Sequence, residues 1–524
     1  MMTIAHPPVQ SKTATSIRPG AVTGVVCLAL AAVVAAMSSL NVALPEIARA
    51  THATSTQLAW IIDAYSLVFA SLLLPAGAIG DRFGRRRALI SGLVIFGAGS
   101  AVAMTAQSAG ELIGLRAVIG LGAALVMPAT LSTITGTFAS EQRTRAVSVW
   151  AAVAGGAAVL GLLVSGLVLE IWSWPSVFGL NVVLAVVAIA GTIRFVPESA
   201  DHDSPRLDLG GALLAVIGLV ALVYSIIEAP SQGWGSARTL AGLAVGVIVL
   251  VGFVFFERRL SRRAETRRAG SRRAGSRRAG TSPMLDPRIF ARRALASGSL
   301  TIFVQFFSFF GFIFLVLQYL QLVRGDSGLV SAVSMLPMAA AMMPTARLAP
   351  ALVSKLGPRV PIVAGLALIT VALVVLSQLT STSSYWLVVA GLIPLGVGMG
   401  LAMPPATSGI TSALPASQQG VGSALNDLSR EVGGAVGIAV LASVLTATYQ
   451  SHLPADAGAA RASVAVAAHL GGAVFAQAQT AFTDGMQLAL RIAAGLALAA
   501  AIGVAVLLRP SDAGNSPATR PGQD

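Results

Sequence analysis

Gly77-Ala78-Ile79-Gly80-Asp81-Arg82-Phe83-Gly84-Arg85-Arg86-Arg87 is the stretch on which the reading of this chain turns. An acid stands beside a basic cluster, and glycines at 77, 80 and 84 permit close backbone approach. One apolar run, 58–79, leads into it and another, 88–106, follows. About 20 apolar residues at a 1.5 Å rise cross the roughly 30 Å hydrocarbon core of a bilayer, so the stretch is a tight turn between two membrane spans. A basic stop signal alone accounts for Arg85, Arg86 and Arg87, but not for the glycines or Asp81.

Working outward, the same criterion gives fourteen spans. Six lie at 20–44, 58–79, 88–106, 110–134, 146–169 and 176–195, and two at 209–228 and 237–256. After an Arg-rich break, six more lie at 295–321, 328–350, 360–379, 386–410, 420–446 and 486–508. The predicted fold is an all-α polytopic membrane protein, with an N-terminal six-helix bundle over 20–195, two additional helices over 196–256, an Arg-rich linker over 257–294 and a C-terminal six-helix bundle over 295–508. The segment 447–485 reads as the longest extracytoplasmic loop. Residues 1–19 and 509–524 are rich in Pro, Ser, Thr and Gly, and read as disordered cytoplasmic tails. The first run is too long for a signal peptide and thirteen spans follow it, so it stays as span 1.

Composition agrees. Of 524 residues 55% are hydrophobic and only 11% charged, and the mean hydropathy is +0.80. A soluble surface needs roughly a quarter charged residues, so the main solvent is lipid. The net charge of +14 would suggest a nucleic-acid partner in a soluble protein. With the amino terminus in the cytoplasm, however, 28 of the 35 Lys and Arg fall in cytoplasmic loops and tails. That bias sets the orientation, with both termini expected in the cytoplasm. Cys27 is the lone cysteine and the five histidines have no ligand spacing, so no metal is expected.

The segment from Glu257 to Thr281 repeats RRAGSRRAGSRRAG and carries ten arginines. It reads either as a nucleic-acid or regulatory arm, or as a tether drawn to anionic lipid at about 1 kcal/mol per basic residue. Lacking aromatics, it offers no base-stacking surface, so no nucleic-acid partner is expected.

Ser354-Lys355-Leu356-Gly357-Pro358-Arg359 is a degraded second copy of the opening motif, at the matching turn of the second half. Such a copy is what two homologous six-span halves would leave. Span 4 holds Arg116-Ala117-Val118-Ile119-Gly120-Leu121-Gly122. A guanidinium about two turns into the membrane requires a cavity, a carboxylate or a set of carbonyls. Span 5 carries a run of small residues with Gly156, Gly161 and Gly166, which lets helices approach closely. Span 13 carries Asn426-Asp427-Leu428-Ser429-Arg430-Glu431-Val432-Gly433-Gly434, in which Asp427 and Glu431 share a helix face beside Arg430. Two such close carboxylates resist joint ionisation, so one can carry a proton. A structural, solvated charge cluster is the alternative. Asp63 stands about one turn inside the outer boundary, either anchoring its helix or facing a cavity as a cation-attracting group. Phe306, Phe307, Phe309, Phe310, Met335 and Met338 either line an adaptable pocket or pack against neighbours and lipid.

The opening motif resembles the turn between helices 2 and 3 of the major facilitator superfamily, and span 4 resembles the arginine motif of its proton antiporters, with Ile119 in place of a usual Gln. Nearly the whole chain is similar to the fourteen-helix drug:proton antiporters of the EmrB/QacA type. The similarity rests on Asn41-Val42-Ala43-Leu44-Pro45, Trp60-Ile61-Ile62-Asp63-Ala64-Tyr65, Trp174 with Phe178 and Asn181, Arg206-Leu207-Asp208, Gln318-Tyr319-Leu320-Gln321, Leu336-Pro337-Met338 and Met403-Pro404-Pro405. Two departures stand out: Leu162 replaces the proline of the export-associated motif, and Ala36 replaces an acid the family usually carries.

The resemblance implies a major-facilitator fold and a monomeric, proton-coupled exporter of lipophilic or cationic drugs, antiseptics or metabolites, of the kind that gives multidrug efflux and antibiotic resistance. It implies a proton gradient and no cofactor. The cytoplasmic gate would comprise Gly77, Gly80, Asp81, Arg82, Gly84, Arg85 and Arg86. Coupling or substrate binding would fall to Asp63, Arg116, Asp427, Arg430 and Glu431, with Asp427 and Glu431 where quaternary-ammonium exporters of the family place acids. An importer or proton symporter on the same fold, and a non-transporting membrane sensor or scaffold, are the competing functions.

Overall fold

The computed structural model describes residues 19–138, 140–198, 208–274, 287–413, 419–454 and 457–508. Among them the regular structure is helical. The first half contains α1 (Pro19–Thr51), α2 (Ser55–Phe83), α3 (Arg85–Ala103), α4 (Ala109–Thr137), α5 (Ser140–Ile171) and α6 (Pro175–Phe195). The inserted pair is α7 (Leu209–Gln232) and α8 (Ala237–Ala274). The second half contains α9 (Arg293–Gln318), α10 (Gly328–Val333), α11 (Leu336–Leu356), α12 (Arg359–Leu376), α13 (Tyr385–Ser412), α14 (Gln419–His452), the short α15 (Val464–Leu470) and α16 (Gly472–Leu507).

Thirteen helical stretches are long and apolar enough to cross a bilayer, with α10 and α11 together making one. In α5 the apolar part, Gly156–Ile171, is shorter, but the helix is 32 residues long and takes the remaining place in the six-two-six order.

Successive spans alternate in direction, which gives the bundle two faces. One carries the α1–α2 connection; the other carries the α2–α3 turn. Each connection is fixed by local chemistry. On the α1–α2 face, Thr54 and Gln57 form a reciprocal capping box at the start of α2, and Ser108 caps α4. On the α2–α3 face, Gly84 ends α2 with φ +114° and Gly357 ends α11 with φ +74°. Both torsions favour glycine, so the opening motif and its degraded copy break the chain by the same means, as an internal repeat requires.

Three boundaries differ from the sequence reading. First, α16 begins at Gly472 rather than 486 and α14 runs to His452, so the loop read as 447–485 contracts to 453–471. Gln477, Gln479, Thr480 and Asp484 dilute the hydropathy of this added helix, yet tertiary partners hold it: Gln479 Nε2 donates to the carbonyls of Leu322 at 3.1 Å and Val323 at 3.2 Å. Second, α8 continues as helix to Ala274 instead of ending at 256. Ala, Arg and Glu are good helix formers, and the first part of the arginine repeat inherits the turn of the span before it. The rest of that repeat, and both tails from residues 1–18 and 509–524, lie outside the described residues. Third, the span read as 328–350 breaks between α10 and α11, just ahead of Pro337, which cannot supply an interior N–H.

The halves meet at the α1–α2 face. Ser55 N donates to Ala462 O at 2.9 Å, and Gln321 Nε2, in the π turn Tyr319–Val323 that follows α9, donates to Val42 O at 3.0 Å. Ser463 Oγ reaches Ala53 O at 3.3 Å, and Ser327 bonds Glu170. Gly166 of α5 lies against α10, where a Cβ would stand 2.9 Å from Leu329 Cα. The inserted α7 is fastened to both halves: Trp60 Nε1 of α2 donates to Glu228 at 3.0 Å, and Ser443 Oγ of α14 to Ile226 O at 2.6 Å.

Candidate functional site

The site is built where α2, α4, α9 and α14 come together. Glycine sets the spacing. A Cβ at Gly120 of α4 would stand 2.5 Å from Tyr65 O of α2, so these helices touch backbone to backbone. In α14, Gly433 and Gly437 face the carbonyls of Phe303 and Phe307 in α9 in the same manner.

Close contact between α2 and α4 gives Arg116 its surroundings. The residue is 1% exposed. Its Nε donates to Ile61 O at 2.9 Å and its Nη1 to Ala36 O at 3.4 Å, while the guanidinium carbon sits 4.3 Å from the centre of the Tyr65 ring. Tyr65 is itself anchored, its hydroxyl donating to Val33 O at 2.9 Å. The Arg116 Nη2 has no hydrogen-bond partner. Two carbonyls and a ring face, not a carboxylate, thus hold this cation among the described residues. Where the family usually carries an acid, residue 36 contributes only its carbonyl. Ile119 packs on Gly99 of α3.

Arg430 of α14 is held differently. Its Nε bonds Glu431 Oε1 at 3.1 Å, and its Nη2 lies 3.9 Å from Asp427 Oδ1 and 3.7 Å from the sulfur of Met127 in α4. Its guanidinium carbon is 5.7 Å from the centre of the Phe306 ring in α9. Asp427 and Arg430 keep 14% and 13% side-chain exposure, and Glu431 only 1%. The second Glu431 oxygen, Oε2, has no hydrogen-bond partner. Of the sequence-predicted site, the structure therefore joins Asp427, Arg430 and Glu431, and places them against the first half through Met127.

Tyr65 is the floor of the first arginine site, lying under Arg116. The sequence reading quoted Tyr65 inside a motif without giving it a role. Its spacing of four residues from Ile61, which puts both on one face of α2, was the available signal. Phe306 stood among the candidate pocket residues and proves to be the ring beneath Arg430. For Met127, nothing in its sequence position marks it as a partner of α14.

Asp63 stands apart. It is fully buried, and neither oxygen has a hydrogen-bond partner. Rather than anchoring α2 at an interface, it is sealed within the protein, two residues from Tyr65.

The opening motif forms a braced turn. Arg86 N donates to Glu198 Oε1 at 3.2 Å, Arg87 Nε lies 3.6 Å from Glu198 Oε2, and Arg86 Nη2 donates to Ile193 O at 2.7 Å. Glu198, just beyond α6, is a member of this turn that the sequence reading missed, because its contact is distant in the chain. Gly77 meets Pro128 of α4 and Gly80 meets Ala88, Arg82 is exposed over Phe83, and Arg85 belongs to the same turn. The side chain of Asp81 lies outside the described part of the structure. Of the α5 glycines, Gly161 faces the α1 backbone, where a Cβ would stand 2.8 Å from Ala35 O, and Gly166 faces α10, whereas Gly156 has open space.

Two related helical halves around a buried charged seam define a multi-pass membrane transporter rather than an enzyme. The sequence pattern of the Major Facilitator Superfamily matches residues 26–438, and this chain belongs to that superfamily. It is 32% identical to the methyl viologen resistance protein SmvA of Salmonella typhimurium, over 80% of this chain and 81% of that protein. It is also 32% identical to the multidrug efflux pump LfrA of Mycolicibacterium smegmatis, over 90% of this chain and 92% of that one. Among solved structures, a bacterial homologue of the human lysosomal transporter Spinster, in an inward-facing conformation, matches with a TM-score of 0.65. That likeness, at 16% identity over 93% of this chain and 96% of that one, concerns the fold.

Proposed function

We propose that this transporter exports small lipophilic or cationic molecules, such as drugs, antiseptics or secreted metabolites, from a bacterial cytoplasm in exchange for protons by alternating access. The carrying observation is the Asp427–Arg430–Glu431 cluster on the seam between the halves, with Glu431 buried and one of its oxygens unpartnered. Buried ionisable groups in a lipid-embedded bundle are costly and are retained where they handle ions or substrate. The relatives named for multidrug efflux and methyl viologen resistance support the same cargo class.

The basic residues gather on the α2–α3 face, which makes that face cytoplasmic, together with both termini, in the inner membrane. Among the described residues, the hydrogen bonds between the halves other than the Arg430–Met127 contact lie on the opposite face, which fits a conformation closed outward with its charged seam reached from the cytoplasm. In the cycle, cargo enters from the cytoplasm, the outer bonds release, and Asp63, Asp427 or Glu431 takes a proton from outside. Asp63, fully buried with neither oxygen partnered, is the kind of costly group that a transporter retains to handle an ion. Arg116 supplies a fixed positive charge beside this traffic, and the α2–α3 turn gates the cytoplasmic face. One chain supplies both halves of the seam, so a monomer suffices, and the proton gradient supplies the energy with no cofactor.

Everted membrane vesicles test the reading. Acidifying their interior should drive ethidium accumulation that an uncoupler abolishes. Ethidium leaving such vesicles with protons would instead identify a symporter, and the absence of any gradient-dependent movement would leave the sensor or scaffold.

A further inference from the structure

The groups around Arg430 are those that would recognise a flat organic cation. Two carboxylates flank the guanidinium at 3.1 and 3.9 Å, the Phe306 ring lies 5.7 Å from its carbon, and the polarisable sulfur of Met127 is at 3.7 Å. A planar delocalised cation prefers this combination over a compact ammonium. The aromatic surface continues beyond Phe306: Phe310 and Phe309 lie 5.9 and 6.4 Å from it and 5.1 Å from each other, centre to centre. Arg430 underfills the site. It makes one close ion pair, the second carboxylate is at the limit of contact, and Glu431 Oε2 is buried without a partner. One cation faces two acids.

We infer that Arg430 is a built-in occupant of an organic-cation site formed by Asp427, Glu431, Phe306 and Met127, and that a flat lipophilic cation binds by displacing its guanidinium. This rests on the export reading for its cargo class, and it adds that the protein carries its own competitor for the site. The displaced guanidinium has somewhere to go, because Arg430 and Asp427 already keep a measure of exposure. With Arg430 withdrawn, the two carboxylates match a dication such as methyl viologen as well as a monocation such as ethidium. Because Met127 belongs to α4 and the rest to α9 and α14, the bound cation touches both halves, and so senses which way they are turned.

Equilibrium binding to the purified full chain in nanodiscs at pH 8 tests this independently of transport, with ethidium and methyl viologen as cationic probes and Nile red as a neutral one. Arg430→Gln should tighten both cations by about tenfold or more while Nile red stays within about twofold, and Arg430→Lys should tighten them less. Unchanged or weakened cation binding in a folded Arg430→Gln protein would overturn the inference. Should that variant not fold, Phe306→Leu provides the check: loss of cation affinity with Nile red retained supports the site, and equal losses for all three probes contradict it. Export in vesicles without the Arg430→Gln gain would sink this inference alone; the gain without gradient-driven export would sink the export reading alone.

Discussion

The two halves use the same device, an arginine within the helical bundle lying near an aromatic ring, with opposite electrostatics. Arg116 in the first half is cradled by neutral groups, the carbonyls of Ile61 and Ala36 and the face of Tyr65. Arg430 in the second half is held by two acids and the face of Phe306. Carbonyls cannot exchange protons, so the charge on the first half is a fixture. Carboxylates can gain a proton or a competing cation, so the charge on the second half is exchangeable. On the proposed reading, the difference gives the halves different tasks: a permanent field on one side of the seam and a variable one on the other.

Removing the variable element should have the largest effect. Glu431→Gln, nearly isosteric, should lower gradient-driven ethidium efflux by about a hundredfold, near 2.8 kcal/mol on the tenfold-per-1.4 scale, with protein abundance unchanged on immunoblots. Wild-type efflux in both Glu431→Gln and Asp427→Asn would remove α14 from the coupling. Arg116→Lys keeps the charge but loses the planar fork and the stacking on Tyr65; efflux should fall about tenfold, within the 2 kcal/mol that a desolvated cation–π contact supplies. Full activity in that variant would erase the distinction between the arginines.

Smaller effects probe the repeated turn. Gly84→Ala puts a side chain at φ +114°, with its Cβ 2.6 Å from the Glu198 carboxylate. A strained residue of this kind costs about 1–3 kcal/mol, so the thermal midpoint should drop by a few degrees, and by more than in Gly357→Ala, whose turn retains only the degraded motif. Smallest of all, deletion of 261–280 should leave efflux within about twofold, as a lipid tether would. Loss of export on that deletion would give the arginine repeat a role of its own.

Much of the fold was legible because the membrane forces each span to announce itself as an apolar run. The order of six, two and six spans and the repeated turn both followed from that. The start of α16 was not legible, since its polar Gln479 is satisfied by the π turn after α9, a partner far away in sequence. At the site, the Asp427–Arg430–Glu431 group could be read because one helix carries all three at helical spacing. The cradle of Arg116 could not, because carbonyls and a ring leave no charge signature. Nor could the burial of Asp63, which depends on three-dimensional packing rather than on its distance from a helix end.

The most direct test of the account is cargo-driven proton movement in proteoliposomes, followed with a pH-sensitive dye while ethidium is added to the face that carries the α2–α3 turn. The account expects wild-type protein to move protons toward that face as ethidium leaves it, and Glu431→Gln to move none. Ethidium transport at an unchanged rate with no accompanying proton movement would contradict it.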